Sequence, residues 1–392
     1  MKIFGIAINQ KNTDQMGDPG ISKTIRSDFH QTKIKEEFRS EYKDLKQYFL
    51  TSERKEELSG MNPLKKIFIL PWWLLKSLYF RLTAFRRLLL FLGFIFLITS
   101  GNISSGDGGT NVSLNISAIL SGLIFLFILA LELKDKLTAK TELEEGKAIQ
   151  QSLMPEQSPK IRGWDVWLFT RSANDVGGDL LDFIQIEKDR FGIAVGDVAG
   201  KGLSTALLMA KLQSTIRALV YDAASLSFLG EKLNKIFHRD SPSKIFASLV
   251  FAEIKSEITD LKLINAGHYP PVILRNNQIE QLQKCAPALG LVKDATFSEQ
   301  YISLNQNDFV IIYSDGLTEA QNEAGDFFGE ARLIDLLKNK NDFSSKELGE
   351  MILANADFFV KKVPAHDDLT LAVLKKVQME FSPQSERRTR SL

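Results

Sequence analysis

Cysteine occurs once, at Cys285, and histidine four times, at His30, His238, His268 and His366. One thiol forms neither an internal disulfide framework nor a thiolate zinc cluster, so Cys285 is read as a small buried hydrophobe. The scattered imidazoles exclude a histidine-rich transition-metal site, which leaves any metal to be held mainly by oxygen. Net charge is nearly absent as well: 49 basic side chains face 48 acidic ones, for a formal charge of +1. No global field draws the chain to nucleic acid. The polar first 60 residues lack the basic, apolar, small-residue order of a signal peptide.

What is present begins with two uncharged apolar runs, Leu88 to Gly106 and Gly108 to Leu131. Each reaches the roughly 20 residues of a membrane helix once its polar flanks are counted. They predict a transmembrane hairpin within 61–131, with helices at about 85–105 and 112–131. Arg81, Arg86 and Arg87 precede it, Lys134, Lys136 and Lys140 follow it, and the connection SGNISSGDGGTN has no basic residue. That asymmetry places both ends in the cytoplasm, making a multi-pass membrane protein with lipid as one partner. Pro71-Trp72-Trp73 with Tyr79 reads as an interfacial belt rather than a third span. From 132 to 155 a linker helix with an imperfect heptad follows, which allows a homodimer through that helix.

Beyond about residue 156 the texture changes to short strands and helices. GWDVWLFTRSA, LLDFIQIE, RFGIAVGDV, KIFASLVFAEI, DLKLINAGH and DFVIIYSD read as strands, several joined by hairpins. STALLMAKLQSTIRAL, ARLIDLLKN and SSKELGEMILANADFFVKKV read as helices. The fold class is α+β, two packed and mainly antiparallel sheets flanked by helices, over 156–378. Residues 379–392 form a basic, flexible tail, too small to create a nucleic-acid site, and no basic patch interleaved with aromatics accompanies the domain.

IAVGDVAGKGLSTALLMAKL, residues 193–212, runs a glycine-rich turn into a helix. A nucleotide-binding P-loop needs four residues between its first Gly and the Gly-Lys pair, and this stretch has three. The residue left without a task is Asp197. It recurs in kind: Asp179 in VGGDLLDF, Asp315 in IIYSDGLTEA, and Asp367-Asp368 in HDDLTLAV each stand where an apolar strand meets a small turn. Carboxylates that converge repel unless cations neutralise them, and oxygen ligation suits Mg²⁺ or Mn²⁺. Two such ions together lower the pKa of a shared water and clamp a phosphoryl group.

In order and spacing, AIQQSLMP, VGGDLLDF, VGDVAGKGLSTALLMA, NAGHYPP, YSDGLTEA and HDDLTLAV resemble the metal-dependent PPM serine/threonine phosphatases, specifically the bacterial SpoIIE/RsbU-type branch. The resemblance implies two sheets flanked by helices, two Mn²⁺ or Mg²⁺ ions, and direct attack of water on phosphoserine or phosphothreonine of a partner protein such as an anti-sigma-factor antagonist. It makes Asp197 the acid bridging both ions, with the Val198 carbonyl as a further ligand and Asp179, Asp315 and Asp367 completing the shell; Asp368 is counted with the metal residues, at a neighbouring polar position from which it would orient water or a ligand. Asp182 would orient water or cap a turn, Arg171 is a strand-end cation, His268 a structural turn residue, and the general acid has no assigned residue. The alternative is a catalytically silent membrane module that binds a partner through the same fold; a two-metal phosphodiesterase or nuclease ranks third.

Overall fold

The computed structural model describes residues 42, 50–99, 103–105, 112–242, 244–256, 258–284 and 286–378. Cys285, the tail and most of the first 50 residues lie outside that set. The contacts divide the chain into two units, 1–136 and 137–392.

In the first unit, helix α1 covers Ser52–Gly60, α2 Pro63–Arg81 and α3 Ala84–Ile98, and α4 begins at Ile116 and runs without a break to Ser152. α2 passes straight through Pro71, so the belt of tryptophans sits within a continuous 19-residue helix. α3 and the start of α4 pack antiparallel: Ser121 donates to the Gly93 carbonyl at 2.9 Å, and the rings of Phe94 and Phe125 meet edge-on at 5.5 Å. Arg86 closes this pair by reaching Glu132 and Asp135 at 2.7 and 2.6 Å.

The helical hairpin is therefore present, but its bounds differ from the expectation. α3 has 15 residues and ends at Ile98, and Ile103–Ser105 (β1) pairs antiparallel with Val112–Leu114 (β2). At 1.5 Å per residue α3 is about 22 Å long, short of the roughly 30 Å hydrocarbon layer. Among the described residues, one helix is long and apolar enough to cross a membrane, α4, with a mean hydropathy of 2.5 over its apolar window.

In the second unit, two five-stranded antiparallel sheets pack face to face. The strands are β3 (Trp164–Arg171), β4 (Asp179–Glu187), β5 (Arg190–Val198), β6 (Ala247–Lys255), β7 (Asp260–Ala266), β8 (Val272–Arg275), β9 (Gln278–Gln281), β10 (Gln300–Ser303), β11 (Phe309–Tyr313) and β12 (Leu369–Lys376). One sheet runs β10-β7-β6-β5-β4 and the other β3-β12-β11-β8-β9. Strand alternation sorts the side chains. Val166, Leu168, Leu181, Ile193, Val195, Val310 and Ile312 fill the space between the sheets. Leu180, Ala194 and Phe251 face outward to meet α5 (Leu203–Leu219) and α6 (Leu226–Asp240). On the far side Trp167, Ile311 and Tyr313 meet α8 (Gly329–Leu337) and α9 (Ser345–Val360), with the short α7 (Asp315–Thr318) at the end of β11.

Local chemistry explains the helix starts. Ser344 and Glu347 form a reciprocal capping box at α9, and the Ser225 hydroxyl caps α6. α6 escapes the sequence reading because SLSFLGEKLNKIFHRD follows closely on α5 without a breaker such as proline; its strong amphipathic face is spent on the outer core.

Candidate functional site

The four acids come as two pairs, one pair from each sheet, at one shared edge. Asp179 opens β4 and Asp197 nearly closes β5, and the antiparallel register sets them directly opposite each other. On the other sheet, Asp315 follows β11, and Asp367 and Asp368 precede β12, its ladder neighbour. Ser314 stitches this second pair: its backbone N–H donates to Thr370 O at 3.0 Å, its hydroxyl donates to the Asp368 carbonyl at 3.2 Å, and the Thr370 N–H donates to that hydroxyl at 2.9 Å. Gly316 then lies so close to this backbone that a Cβ on it would sit 1.9 Å from the Asp368 carbonyl oxygen.

The electrostatics record the convergence. Burial, and then the neighbouring Asp197 charge, hold the Asp179 carboxyl well above the carboxylate range. Burial also pushes Asp197 to about 7, with Asp315, Asp367 and Asp368 adding to it and Lys201 opposing. Burial and Asp367 raise Asp315 to about 6. Each group thus resists ionising beside the others. Among the described residues no three histidine, cysteine or acidic side chains close tightly enough to grip one ion as they stand.

The donor set nevertheless fits hard cations. Every member offers oxygen, and the Asp179 Oδ2 is buried without a hydrogen-bond partner. Gly178 keeps the floor open: a Cβ there would approach Thr205 Cγ2 at 2.7 Å, Val198 O at 3.2 Å and Asp197 Oδ1 at 3.4 Å. Val198 thus directs its carbonyl to the same cradle.

Other expected residues have different tasks. Asp368 spends both oxygens on backbone: Oδ1 accepts from Ala173 N at 2.7 Å, and Oδ2 from Gly178 N at 2.6 Å and Asp179 N at 3.4 Å. Asp182, expected to orient water or cap a turn, points to the helix side of β4 and binds Arg217 of α5 with two hydrogen bonds of 2.7 and 2.8 Å. Arg171 is held by Asp357 of α9 at 2.6 and 3.1 Å. His268 is buried, its Nδ1 2.7 Å from the Ser248 hydroxyl, and burial lowers it to about 4. The glycines of GDVAGKG serve backbone shape more than ion approach: Gly200 and Gly202 have φ of +124° and +82°, which turn the chain from β5 into α5.

Lys201, in that turn, lies 3.2 Å from Asp367 and also donates to the His366 carbonyl. It borders a cleft of 500 Å³ shared by Arg171, Gly316, Glu319, Lys361 and Asp367. A larger cavity of 830 Å³, lined by Phe328, Arg332 and Phe358, contains none of the acids.

Two antiparallel sheets between helix layers, with acids gathered at one sheet edge, define the PPM phosphatase class of fold. Residues 187–377 match the family model "Stage II sporulation protein E (SpoIIE)", and this part of the chain is a SpoIIE-type domain. The chain is 28% identical to protein IcfG of Synechocystis over 273 residues, 62% of this chain and 43% of IcfG. It is 25% identical to the phosphoserine phosphatase RsbU of Bacillus subtilis over 239 residues, 60% of this chain and 70% of RsbU. Among solved structures, the SiaA-PP2C domain of Pseudomonas aeruginosa aligns at 18% identity with a TM-score of 0.53, covering 62% of this chain and 98% of that domain.

Proposed function

We propose that the chain is a membrane-anchored, divalent-cation-dependent phosphatase that hydrolyses phosphoserine or phosphothreonine on a signalling protein. The observation that carries this reading is the delivery of two acid pairs from two sheets to one edge. Similarity to RsbU, a phosphoserine phosphatase by name, supports the reaction class; the substrate in this reading is a phosphoprotein of the anti-sigma-factor-antagonist kind.

Asp179, Asp197, Asp315 and Asp367, with the Val198 carbonyl, would hold the ions, two Mn²⁺ or Mg²⁺. Bound divalent cations supply charge neutralisation and Lewis acidity for water and phosphate. The chain's own residues do the rest. Asp197, central among the acids, anchors the cluster, and Asp368 fixes the loop that carries Asp179. Lys201 and Arg171 stand at the cleft where a phosphorylated segment would enter, and each arrives already paired with an acid, Asp367 and Asp357, which limits its pull on anions other than a well-placed phosphate. His268 is buried and committed to Ser248, so it is not placed to protonate the leaving serine oxygen.

The anchor reading rests on α4 and on the apolar surface around it. Leu88, Phe91 and Ile98 of α3 and Leu123, Leu126 and Leu129 of α4 are all more than half exposed, a belt that lipid would cover. The test of function is phosphate release from a phosphoseryl protein by the full chain. Release with Mn²⁺ that stops on chelation, and falls about 100-fold or more in Asp197→Asn, is expected. Equal release with and without chelator would refute it; cation binding without release would favour the silent partner-binding module.

A further inference from the structure

The loop between β3 and β4, residues 172–178, has no ladder of its own and is held from two directions. From one side Asp368 accepts its N–H groups, as described. From the other comes the end of α4. The Gln150 side-chain amide closes on Gly177 both ways: Nε2 donates to the Gly177 carbonyl at 2.8 Å, and the Gly177 N–H donates to Oε1 at 3.0 Å. Gly177 is buried, and a Cβ on it would meet Ser172 Oγ at 2.6 Å and Asp368 Oδ2 at 2.7 Å, so the loop is tightly packed at this residue. Without the amide both polar groups of this residue would be stranded, which backbone seldom tolerates.

The position of that clamp matters more than its strength. The next residue, Gly178, floors the ion cradle against Val198 O and Asp197 Oδ1, and the one after it is Asp179. The same helix end is fixed to the other acid-bearing segment as well. The Leu153 carbonyl, one residue beyond α4, accepts from Gln213 Nε2 at 3.0 Å and from Arg217 Nη2 at 3.5 Å, both on α5, the helix that follows Asp197. Gln213 is buried. Rotation or withdrawal of the last turn of α4 would therefore act on Gly177 and on α5 together.

We propose that Gln150 is a positioning residue for the acid site: its two-way amide clamp on Gly177 sets the backbone that aims Asp179 and keeps the Gly178 cradle open. The proposal rests on the reading of Asp179 as a cation-holding acid. Gln150 touches neither substrate nor cation; it acts through the loop.

The test uses the full chain and Mn²⁺ alone as probe, with free Mn²⁺ followed by its paramagnetic resonance, beside steady-state phosphate release. Gln150→Ala should weaken Mn²⁺ binding about 10- to 100-fold. At saturating Mn²⁺ its KM for the phosphoprotein should stay that of the wild type, so the defect appears as a shifted metal dependence. Gln151→Ala, one residue away and exposed, should bind Mn²⁺ as the wild type does. Wild-type Mn²⁺ affinity in Gln150→Ala overturns the proposal. Should that variant fail to fold, Gln150→Glu carries the test, since it is isosteric and keeps only the bond from the Gly177 N–H; unchanged affinity there overturns the proposal equally. If the wild type itself binds no Mn²⁺ and releases no phosphate, the phosphatase reading falls first. Wild-type turnover with an indifferent Gln150 leaves that reading standing and removes this one.

Discussion

His268 shows how a titratable side chain in a conspicuous motif can belong to the core. Its ordinary value is 6.5 and burial takes it to about 4, so the fold accepts only the neutral ring. Below 6.5 the unfolded chain binds the proton that the folded chain refuses. Stability from this residue is complete above pH 6.5 and drains away toward pH 4, by about 3 kcal/mol in total. Asp197 and Asp315, raised to about 7 and about 6, act in the opposite sense in cation-free protein: their folded forms hold protons that the unfolded chain has lost, so their contribution fades as pH rises through those values. The measurement is thus the difference in urea midpoint between wild type and His268→Asn from pH 7 to 4.5. That difference should shrink as pH falls; a constant gap would contradict the assignment.

At the same scale, the acids that gather at the sheet edge were legible because each stands at the mouth of an apolar strand. Asp182 was not, since sequence spacing does not tell which face of β4 it takes. The strand period puts it on the face opposite Leu181, against Arg217, rather than toward the shared edge. Gln150 stands in the AIQQSLMP motif, but nothing in that motif tells what its side chain holds: a glutamine in a polar helix looks like solvated surface until its loop partner is seen.

Among the elements, the pairing of α5 with β4 makes a strong demand. Asp182 is fully buried and Arg217 is its ion partner, with a guanidinium about two-fifths exposed. Removing the arginine leaves a lone buried carboxylate, so Arg217→Ala should cost about 3 kcal/mol in a denaturant melt, whereas Asp182→Leu, which removes the charge, should cost less. The turn between β11 and α7 is equally tight. Gly316→Ala forces a Cβ into the Asp368 carbonyl and must push β12 from β11; about 1–3 kcal/mol of stability and most of the Mn²⁺ affinity should go with it. Unimpaired Mn²⁺ binding in that variant would show that the Asp315 and Asp367 pair does not need this spacing.

The strands and helices of the sandwich were mostly readable, because period-2 runs and capping signals are local. β8, β9 and β10 were missed because four-residue strands carry too little pattern. The end of α3 was missed for a different reason: hydropathy continues past Ile98 in the isoleucine at 103, which pairs with Leu114 in a short β ladder.

For the whole molecule, the apolar first half of α4 predicts how the protein fractionates. The full chain should stay with membranes through alkaline carbonate washing and leave only with detergent; release by carbonate would remove the anchor from the reading. What the sequence could not supply is the assembly of two sheets around one edge, since antiparallel order among strands far apart in the chain is a tertiary choice. Nothing local says that β12 inserts between β3 and β11.

That insertion bears on how the protein is made. β3 hydrogen-bonds to β12 as its ladder neighbour, and Thr170 meets Thr370 at 2.9 Å across 200 residues of intervening chain. On the ribosome, an apolar strand containing two tryptophans must wait for nearly the entire domain to be synthesised before its edge is satisfied. A premature stop anywhere before Leu369 would leave that strand unpaired and the nascent product prone to capture by chaperones or aggregates, so the domain is completed only late in synthesis.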